Sequence, residues 1–491
     1  MSKLKELSSD TLIYGISSVI ARFINYLLVP LYTDTEVFAT NEYGIVVKAF
    51  VGIAFLNVVF TMGMESAYLR YAKNRDEAKD FFKTIQGFLS VTTVLLFIIL
   101  WLLFPAAAPS LSLENNVSIY LMILGILAFD TLSIVPFAEL RLVRKSILFA
   151  AIKTGNVLVN VGLNLYLILV LGYGIEAVFI SNIIASFLTA IATFIATAKL
   201  LSGSFNKVHL RTALYFGLPF IPAGIAHVMN EGLDRFFLGS MGTETIERLY
   251  GAGLIGDDIA GVYGGCYKVG VFMLLFIQMF RMAWQPFFMR HSSEPEAPAL
   301  FASVFKYYNM IAAILFITIS LFVNDIVAIK IPFTESTLLG ENYWFGLQIV
   351  PVILMAYWFQ GMYMNFSAGI FITEQTKRLP QITIIGALIT IAGNIILVPK
   401  IGMMGSAWAT LCSYAVMAGL LYWYSNKVYK VPYSLIRAAL VILISASVII
   451  IKPRIVDLTQ ASWMANLILL FSGAALIAII NLNTSLLPRR G

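Results

Sequence analysis

The chain has 491 residues, of which 59% are hydrophobic and only 12% are charged, about half the charged share of a typical soluble domain. This composition indicates an integral membrane protein and argues against a soluble one. The formal charge of +7 does not indicate a nucleic-acid partner, because that inference requires a basic soluble surface. Cys266 and Cys412 lie inside apolar segments, so neither a disulfide framework nor a cysteine metal site is predicted.

Apolar runs of about 20 residues, long enough to cross a bilayer as a helix, recur along the whole chain. The first follows Lys3 and Lys5 and has no small-residue cleavage site, so we predict a retained helix and not a signal peptide. The fourteen predicted spans cover residues 11–32, 43–67, 84–104, 117–138, 147–171, 175–198, 214–239, 262–289, 301–323, 343–371, 380–399, 403–424, 434–451 and 463–482. The predicted fold class is therefore an all-α integral membrane protein with about 14 transmembrane helices.

Basic residues are concentrated in alternate connections between these spans, and this asymmetry orients the chain. The opposite side has few of them and carries the acidic loop with Glu244, Glu247, Asp257 and Asp258. We predict that the basic side is cytoplasmic. The even number of spans then places both termini in the cytoplasm.

The stretch 43–70 recurs 220 residues later, at 263–290, without a gap. Because the match pairs predicted helix 2 with predicted helix 8, six spans apart, both halves cross the membrane in the same direction, as parallel repeats do. The identical pairs are Tyr43/Tyr263, Gly44/Gly264, Lys48/Lys268, Val51/Val271, Phe60/Phe280, Met62/Met282 and Arg70/Arg290. The predicted domains are an N-terminal six-helix lobe (1–198), a cytoplasmic linker (199–213), a C-terminal six-helix lobe (214–424) and two extra helices (425–491).

Five basic residues fall within predicted spans, where a charged side chain costs between about 3 and over 10 kcal/mol unless it faces water, a partner or another helix. If predicted helices 1 and 2 lie opposite 7 and 8, these residues line one central cavity of positive potential, which suits an anion. The five are Arg22, Lys48, Arg235, Lys268 and Arg281.

For most of these residues, a purely structural role is an alternative to anion binding. Lys48 and Lys268 lie close enough to the outer ends of their helices to extend to the interface. Arg235 follows Glu231 by one helical turn and Asp234 directly, which favours a local ion pair. A structural pairing is equally open for Arg281, whereas Arg22 is predicted near mid-membrane, at the limit of reach of either interface.

Four uncharged or acidic polar residues complete the candidate site. Asn25 and Asn230 would bond a sugar or phosphate in the cavity, or else another helix. Asp130 and Glu65 are candidate ion-coupling acids, although such groups more often pair with a base, and Arg70 lies close to Glu65 along the chain.

Prolines interrupt the helices predicted to line the cavity, at Pro30, Pro219, Pro222 and Pro286. A proline removes a helix hydrogen bond and allows bending. Such bends suit alternating access, and they suit static kinks equally well.

Three stretches resemble bacterial polysaccharide-biosynthesis membrane proteins. They are 11–33, with Arg22 at its centre, the Glu42-Tyr-Gly44 triplet, and 63–71, which reads Gly-Met-Glu-Ser-Ala-Tyr-Leu-Arg-Tyr. That family comprises lipid-linked oligosaccharide flippases of the O-antigen type, within the multidrug/oligosaccharidyl-lipid/polysaccharide exporter superfamily.

The resemblance implies a two-lobed transporter of the bacterial inner membrane that carries an undecaprenyl-diphosphate-linked oligosaccharide to the external leaflet for cell-surface polysaccharide or lipopolysaccharide synthesis. It implies that cavity cations lie on helices 1, 2 and 8, where this chain has Arg22, Lys48 and Lys268. Flippases of the lipid II type also use helices 13 and 14 to form a lipid groove, and whether the extra pair of helices does so here is left open. Polysaccharide polymerase and glycosyltransferase proteins are the implied partners, together with membrane lipid.

No covalent step is needed for such transport, and we predict neither an enzyme nor a cofactor or metal. His209, His227 and His291 are scattered, and no phosphate-binding glycine loop with a lysine is present. Two other functions remain open. A cation-coupled multidrug exporter of the same superfamily favours an acidic cavity, and a membrane glycan polymerase or ligase favours a large external loop.

Overall fold

The computed structural model describes residues 24, 26–73, 77–331 and 336–482. These residues form helices, with one isolated β-bridge between Lys330 and Thr337. In this part of the chain twelve helices are long and apolar enough to cross a membrane, or thirteen if the bent pair Lys207–Gly217 and Phe220–Gly239 counts as one span. The predicted all-α membrane fold is confirmed, while most of the predicted first span, 11–32, lies outside the described residues.

The chain divides into two compact units, Met1–Gly264 and Gly265–Gly491. The first contains helices α1 (Val29–Thr33), α2 (Thr40–Thr61), α3 (Met64–Tyr71), α4 (Ala78–Leu102), α5 (Phe104–Leu111), α6 (Val117–Leu142), α7 (Ser146–Leu165), α8 (Glu176–Thr197), α9 (Lys207–Gly217), α10 (Phe220–Gly239), α11 (Thr243–Tyr250) and most of α12 (Gly256–Val269). A π-helical turn, Tyr166–Val170, extends α7, and a 3₁₀ turn, Ala198–Ser202, follows α8.

Helix α6 is the central helix of the first unit and packs against α2, α4 and α8. It is apolar on nearly every side, which is typical of a helix surrounded by others. Helix α4, in contrast, exposes large apolar side chains, among them Val91, Leu95, Ile99 and Trp101. An exposed apolar face on a spanning helix is the surface that lipid covers.

The second unit continues from the end of α12. Its helices are α13 (Val271–His291), α14 (Ala297–Leu321), α15 (Val323–Val327), α16 (Val350–Ile372), α17 (Arg378–Ile401), α18 (Met403–Val428), α19 (Leu435–Thr459) and α20 (Ser462–Leu482), with a 3₁₀ segment, Glu341–Ile349, before α16.

Helix α16 is the central helix of the second unit and packs against α13, α14 and α18, while α17 packs against α18. Its Trp358 is fully buried and donates from Nε1 to Asn309 Oδ1 on α14, at 2.9 Å. Tyr308 on α14 donates to the Trp358 carbonyl at 3.2 Å. These bonds satisfy polar groups that would be costly to bury unpaired.

Three spans that the sequence predicts as continuous are broken. Span 43–67 ends at Thr61 and resumes at Met64, because Met62 and Gly63 adopt the left-handed conformation with φ of 48° and 67°. Span 214–239 becomes α10, which meets α9 at 41° next to Pro219. Span 262–289 is interrupted at Gly270, between α12 and α13.

The sequence-predicted lobes, 1–198 and 214–424, remain a prediction. The division between the two compact units falls inside α12 at Gly264 and Gly265. The segment predicted as a linker, 199–213, contains the end of the 3₁₀ turn and the first part of α9.

Candidate functional site

Lys48 is the buried cation around which the first unit builds its most distinctive polar site. It lies two turns into α2, which begins after a cap in which the Ala39 amide donates to Glu42 Oε2 at 2.9 Å. The residue is only 2% exposed. Its Nζ forms an ion pair with Asp257 Oδ1 at 2.5 Å and donates to Ser112 Oγ at 2.8 Å.

The partners of Lys48 come from two helices that are distant in sequence. Asp257 lies in the first turn of α12, where a carboxylate is favoured by the helix dipole. Ser112 caps the C-terminus of α5 with φ of 55°, a left-handed conformation that is uncommon outside glycine. A strained backbone that aims a hydroxyl at a buried ammonium suggests a functional constraint.

Glycines allow α12 and α10 to approach α2 closely enough for this pairing. A Cβ at Gly44 would overlap the carbonyl of Asp257, and one at Gly261 would overlap the carbonyl of Thr40. On α10, a Cβ at Gly239 would lie 2.9 Å from the Lys48 side chain. The backbone contacts therefore fix the distance between Lys48 and its carboxylate.

A cavity of about 280 Å³ opens beside Lys48, between α2, the end of α5 and α10. The lining is mixed. Its polar members are Lys48, Ser110, Ser112 and Ser240, and its apolar members include Leu233, Phe236 and Phe237 of α10.

Arg235, the second predicted cavity cation of this unit, is buried on α10 and is 7% exposed. Its Nη1 donates to Asp234 Oδ1 and to the Glu231 carbonyl, each at 2.5 Å, and its guanidinium lies 5.3 Å from the centre of the Tyr263 ring. Of the two local partners suggested by the sequence, the carboxylate in contact is that of Asp234, while Glu231 contributes its backbone oxygen. Asn230, one residue before Glu231, is buried at 2% exposure.

The remaining predicted cations lie elsewhere. Lys268 is half-buried near the end of α12, and Arg281 is exposed on α13, so both belong to the second unit. Arg22 and Asn25 lie outside the described residues. Whether these side chains share a cavity with Lys48 stays a prediction.

The two candidate coupling acids have basic neighbours that the sequence did not indicate. Glu65 forms an ion pair with Arg141 of α6, whereas its neighbour along the chain, Arg70, lies 4.8 Å from the centre of the Phe216 ring. Asp130 of α6 hydrogen-bonds Ser186 of α8 and interacts with the charge of Lys153 of α7. Neither group is close to Asp130 along the chain, because both come from other helices.

Sequence reasoning did not assign Asp257, Ser112 or Lys153 to the site. The sequence marks Asp257 only as part of an acidic loop. The interactions join residues 209, 64 and 23 positions apart (Lys48 to Asp257, Lys48 to Ser112, Asp130 to Lys153), so no local pattern reveals them. Within the described residues there is no group of three His, Cys, Asp or Glu side chains that could hold a metal ion.

Residues 37–253 match the family described as polysaccharide biosynthesis protein. No curated protein sequence matches the chain. The resemblance to polysaccharide-biosynthesis proteins that the sequence predicts is thereby confirmed over these residues, which include Lys48, Ser112 and Arg235.

Several solved structures share the fold. The lipid II flippase MurJ in an inward closed conformation is similar with a TM-score of 0.67 at 15% identity, over 96% of this chain and 100% of that one. An inward-facing multidrug resistance MATE family transporter of the MOP superfamily has a TM-score of 0.63 at 15% identity, over 85% of this chain and 94% of that one. An outward-facing MATE transporter has a TM-score of 0.59 at 14% identity, over 86% and 95%. The fold is therefore one that flippases and transporters use.

Proposed function

We propose that this protein moves a lipid-linked oligosaccharide, carried on undecaprenyl diphosphate, from the cytoplasmic to the external leaflet of a bacterial inner membrane. The match of residues 37–253 to polysaccharide biosynthesis proteins carries the proposal. The shared fold of MurJ and the MATE transporters supports transport as the activity. The transported unit then serves the synthesis of a cell-surface polysaccharide such as O-antigen, and the protein acts without catalysis.

The physical problem that the protein solves is the polar head of its substrate. A diphosphate with a hydrophilic glycan cannot cross hydrocarbon unaided, whereas the prenyl chain stays in lipid beside the protein. Basic side chains within the spans supply the electrostatic path, with Arg22, Lys48 and Arg235 from the N-terminal part and Lys268 and Arg281 from the C-terminal part. Alternating access, through helices that bend at their breaks, exposes that path to one side at a time.

The asymmetry of positive charge supports an orientation with both termini in the cytoplasm. In that orientation the end of α2 that carries Lys48 faces outward. The Lys48 pair therefore lies on the exit side of the path. Polymerase and glycosyltransferase proteins would act on the substrate before and after it is moved.

Mass spectrometry of lipid extracts after depletion of the protein tests the proposal. We expect one diphosphate-linked glycan to accumulate, in a form protected from reagents outside the cell, and re-expression to clear it. Unchanged lipid-linked glycans on depletion would overturn the proposed function. The mass of the accumulated species identifies the glycan.

A cation-coupled multidrug exporter is the second candidate, because two of the similar structures are MATE transporters and Asp130 is a carboxylate within a spanning helix. The charge of Lys153 near Asp130 argues against it, since a base close to the carboxylate disfavours the binding of a transported cation. Proton- or sodium-dependent efflux of cationic dyes by vesicles, with no glycan phenotype, would favour this candidate.

A further inference from the structure

We propose that the cavity beside Lys48 is a binding site for a phosphate that carries a hydrocarbon chain. In the absence of such a phosphate, Asp257 pairs with Lys48 as an internal substitute anion. The inference rests on the proposed function and deepens it, because it names the site and chemistry by which the lipid carrier is held on one side of the membrane.

The polar lining of the cavity includes a cationic group that a phosphate can bind. An ammonium has three N–H donors, of which Asp257 and Ser112 receive two. Ser110, Ser112 and Ser240 line the same cavity. The hydroxyls of Ser110 and Ser240 donate to the carbonyls of Ala107 and Phe237, so the Lys48 ammonium is the group that offers a phosphate a charge-assisted hydrogen bond.

The apolar lining of the cavity distinguishes a lipid phosphate from a free one. Leu233, Phe236 and Phe237 of α10 contribute to this lining, together with Pro109 of α5. Inorganic phosphate gains nothing from contact with these side chains. The first units of a hydrocarbon chain attached to the phosphate would cover these side chains and remove their apolar surface from water.

Asp257 explains how Lys48 stays buried when the cavity is empty of substrate. The carboxylate supplies the negative charge that a buried ammonium needs. Because Gly44 and Gly261 press the backbones of α2 and α12 together, this pair also holds the two helices in contact. When a phosphate binds Lys48 in place of Asp257, the carboxylate is released. Phosphate binding is therefore coupled to separation of α2 from α12.

The test measures binding of three probes to the full-length protein in lipid nanodiscs by isothermal titration calorimetry. Farnesyl diphosphate carries both features, pyrophosphate lacks the chain, and farnesol lacks the phosphate. We expect farnesyl diphosphate to bind tightest and farnesol not to bind at this site. Equal binding of farnesyl diphosphate and pyrophosphate would overturn the lipid assignment in favour of a free-phosphate site.

Variants assign the binding to the cavity. Asp257→Asn should tighten farnesyl diphosphate binding by about tenfold, because the competing carboxylate is removed and a charge-assisted hydrogen bond becomes available to the ligand. Ser112→Ala should weaken it several-fold. Phe236→Ala should weaken the binding of farnesyl diphosphate but leave the binding of pyrophosphate unchanged. If Asp257→Asn weakens binding or leaves it unchanged, the idea of a substitute anion is wrong.

The double variant Lys48→Met/Asp257→Asn guards against misfolding, because it removes both charges together and leaves neither one buried alone. It should fold and bind farnesyl diphosphate at least tenfold more weakly.

Lys452→Met is the matched control, since Lys452 donates to the Leu321 carbonyl in the second unit and lies outside the cavity. Binding that survives in the double variant would overturn the site.

The binding results and the transport results separate the two proposals. If the variants show the expected pattern but depletion of the protein leaves lipid-linked glycans unchanged, the proposed function fails and the lipid-phosphate site stands. If depletion causes glycan accumulation but Ser112→Ala, Phe236→Ala and the double variant bind farnesyl diphosphate like the wild type, the site fails and the function stands.

Discussion

At the scale of single residues, the cost of buried charge shapes this protein. Lys48 is 2% exposed and lies on a spanning helix, so its charge must be matched nearby. Asp257 provides that match at 2.5 Å. A buried pair of this kind is a weak source of net stability, but breaking it by removing one partner leaves an uncompensated charge.

We therefore expect Asp257→Asn to destabilise the fold by about 3–5 kcal/mol, and the double variant Lys48→Met/Asp257→Asn to be much closer to the wild type. Denaturant unfolding in detergent, followed by intrinsic fluorescence, measures both free energies of unfolding. If the double variant is as unstable as the single one, the pair is not the source of the effect.

Sequence alone could place Lys48 within an apolar span but could predict neither its burial nor its partner. Its position in an apolar run fixes its depth, because a helix rises a constant 1.5 Å per residue. The identity of the opposing carboxylate depends on how α12 packs on α2. The same reason explains Glu65, whose neighbour along the chain is Arg70 but whose partner in the fold is Arg141.

At the scale of helices, close approach through glycine organises the first unit. Helix α10 places Gly224, Gly232 and Gly239 against Val58, Val51 and Lys48 of α2, one contact about every two turns. Helix α12 meets α2 at Gly44 and Gly261. Small residues at such crossings let membrane helices gain packing energy and backbone contact.

We expect Gly44→Ala to destabilise the protein by about 1–3 kcal/mol, since its Cβ would overlap the Asp257 carbonyl and force α12 away. The matched control is Gly155→Ala on α7, where nothing lies within 4 Å of the new Cβ. That change should be neutral or stabilising by up to about 1 kcal/mol, because alanine favours the helix. Thermal unfolding of the two purified variants compares them directly, and equal losses would contradict the packing argument.

Apolar run length predicted the helices well, and the breaks within them poorly. Spans such as 117–138 and 403–424 reappear as α6 and α18, because in hydrocarbon a backbone must satisfy its own hydrogen bonds. The break at Pro219 has a local cause that the sequence displays. The break at Met62 and Gly63 does not, since it accompanies the close contact of Gly63 with the Gly217 carbonyl, 154 residues away.

At the scale of the whole molecule, hydropathy and charge asymmetry give the membrane fold and its expected orientation. Twelve or thirteen spans in the described residues, with most of the predicted first span outside them, agree with a chain that crosses about 14 times. The candidate site required the fold, because its members come from α2, α5, α10 and α12. The two six-helix lobes remain a prediction, as does a role in the site for Lys268 and Arg281 of the second unit.

The orientation can be tested with topology reporters. We expect green fluorescent protein fused after Gly491 to fluoresce, which requires a cytoplasmic C-terminus. Alkaline phosphatase fused after Gly251, between α11 and α12, should be active, which requires an external position. Activity of the two reporters in the opposite pattern would reverse the assignment of Lys48 to the exit side.

The central claim is that the protein moves a diphosphate-linked glycan across the membrane. The most direct measurement follows a fluorescent polyprenyl-diphosphate oligosaccharide in vesicles that contain the purified protein, with a lectin or quencher added outside to report leaflet position. Transfer between leaflets should be much faster than in protein-free vesicles and slower with Lys48→Met/Asp257→Asn, while Lys452→Met behaves like the wild type. Transfer no faster than in protein-free vesicles would contradict the account.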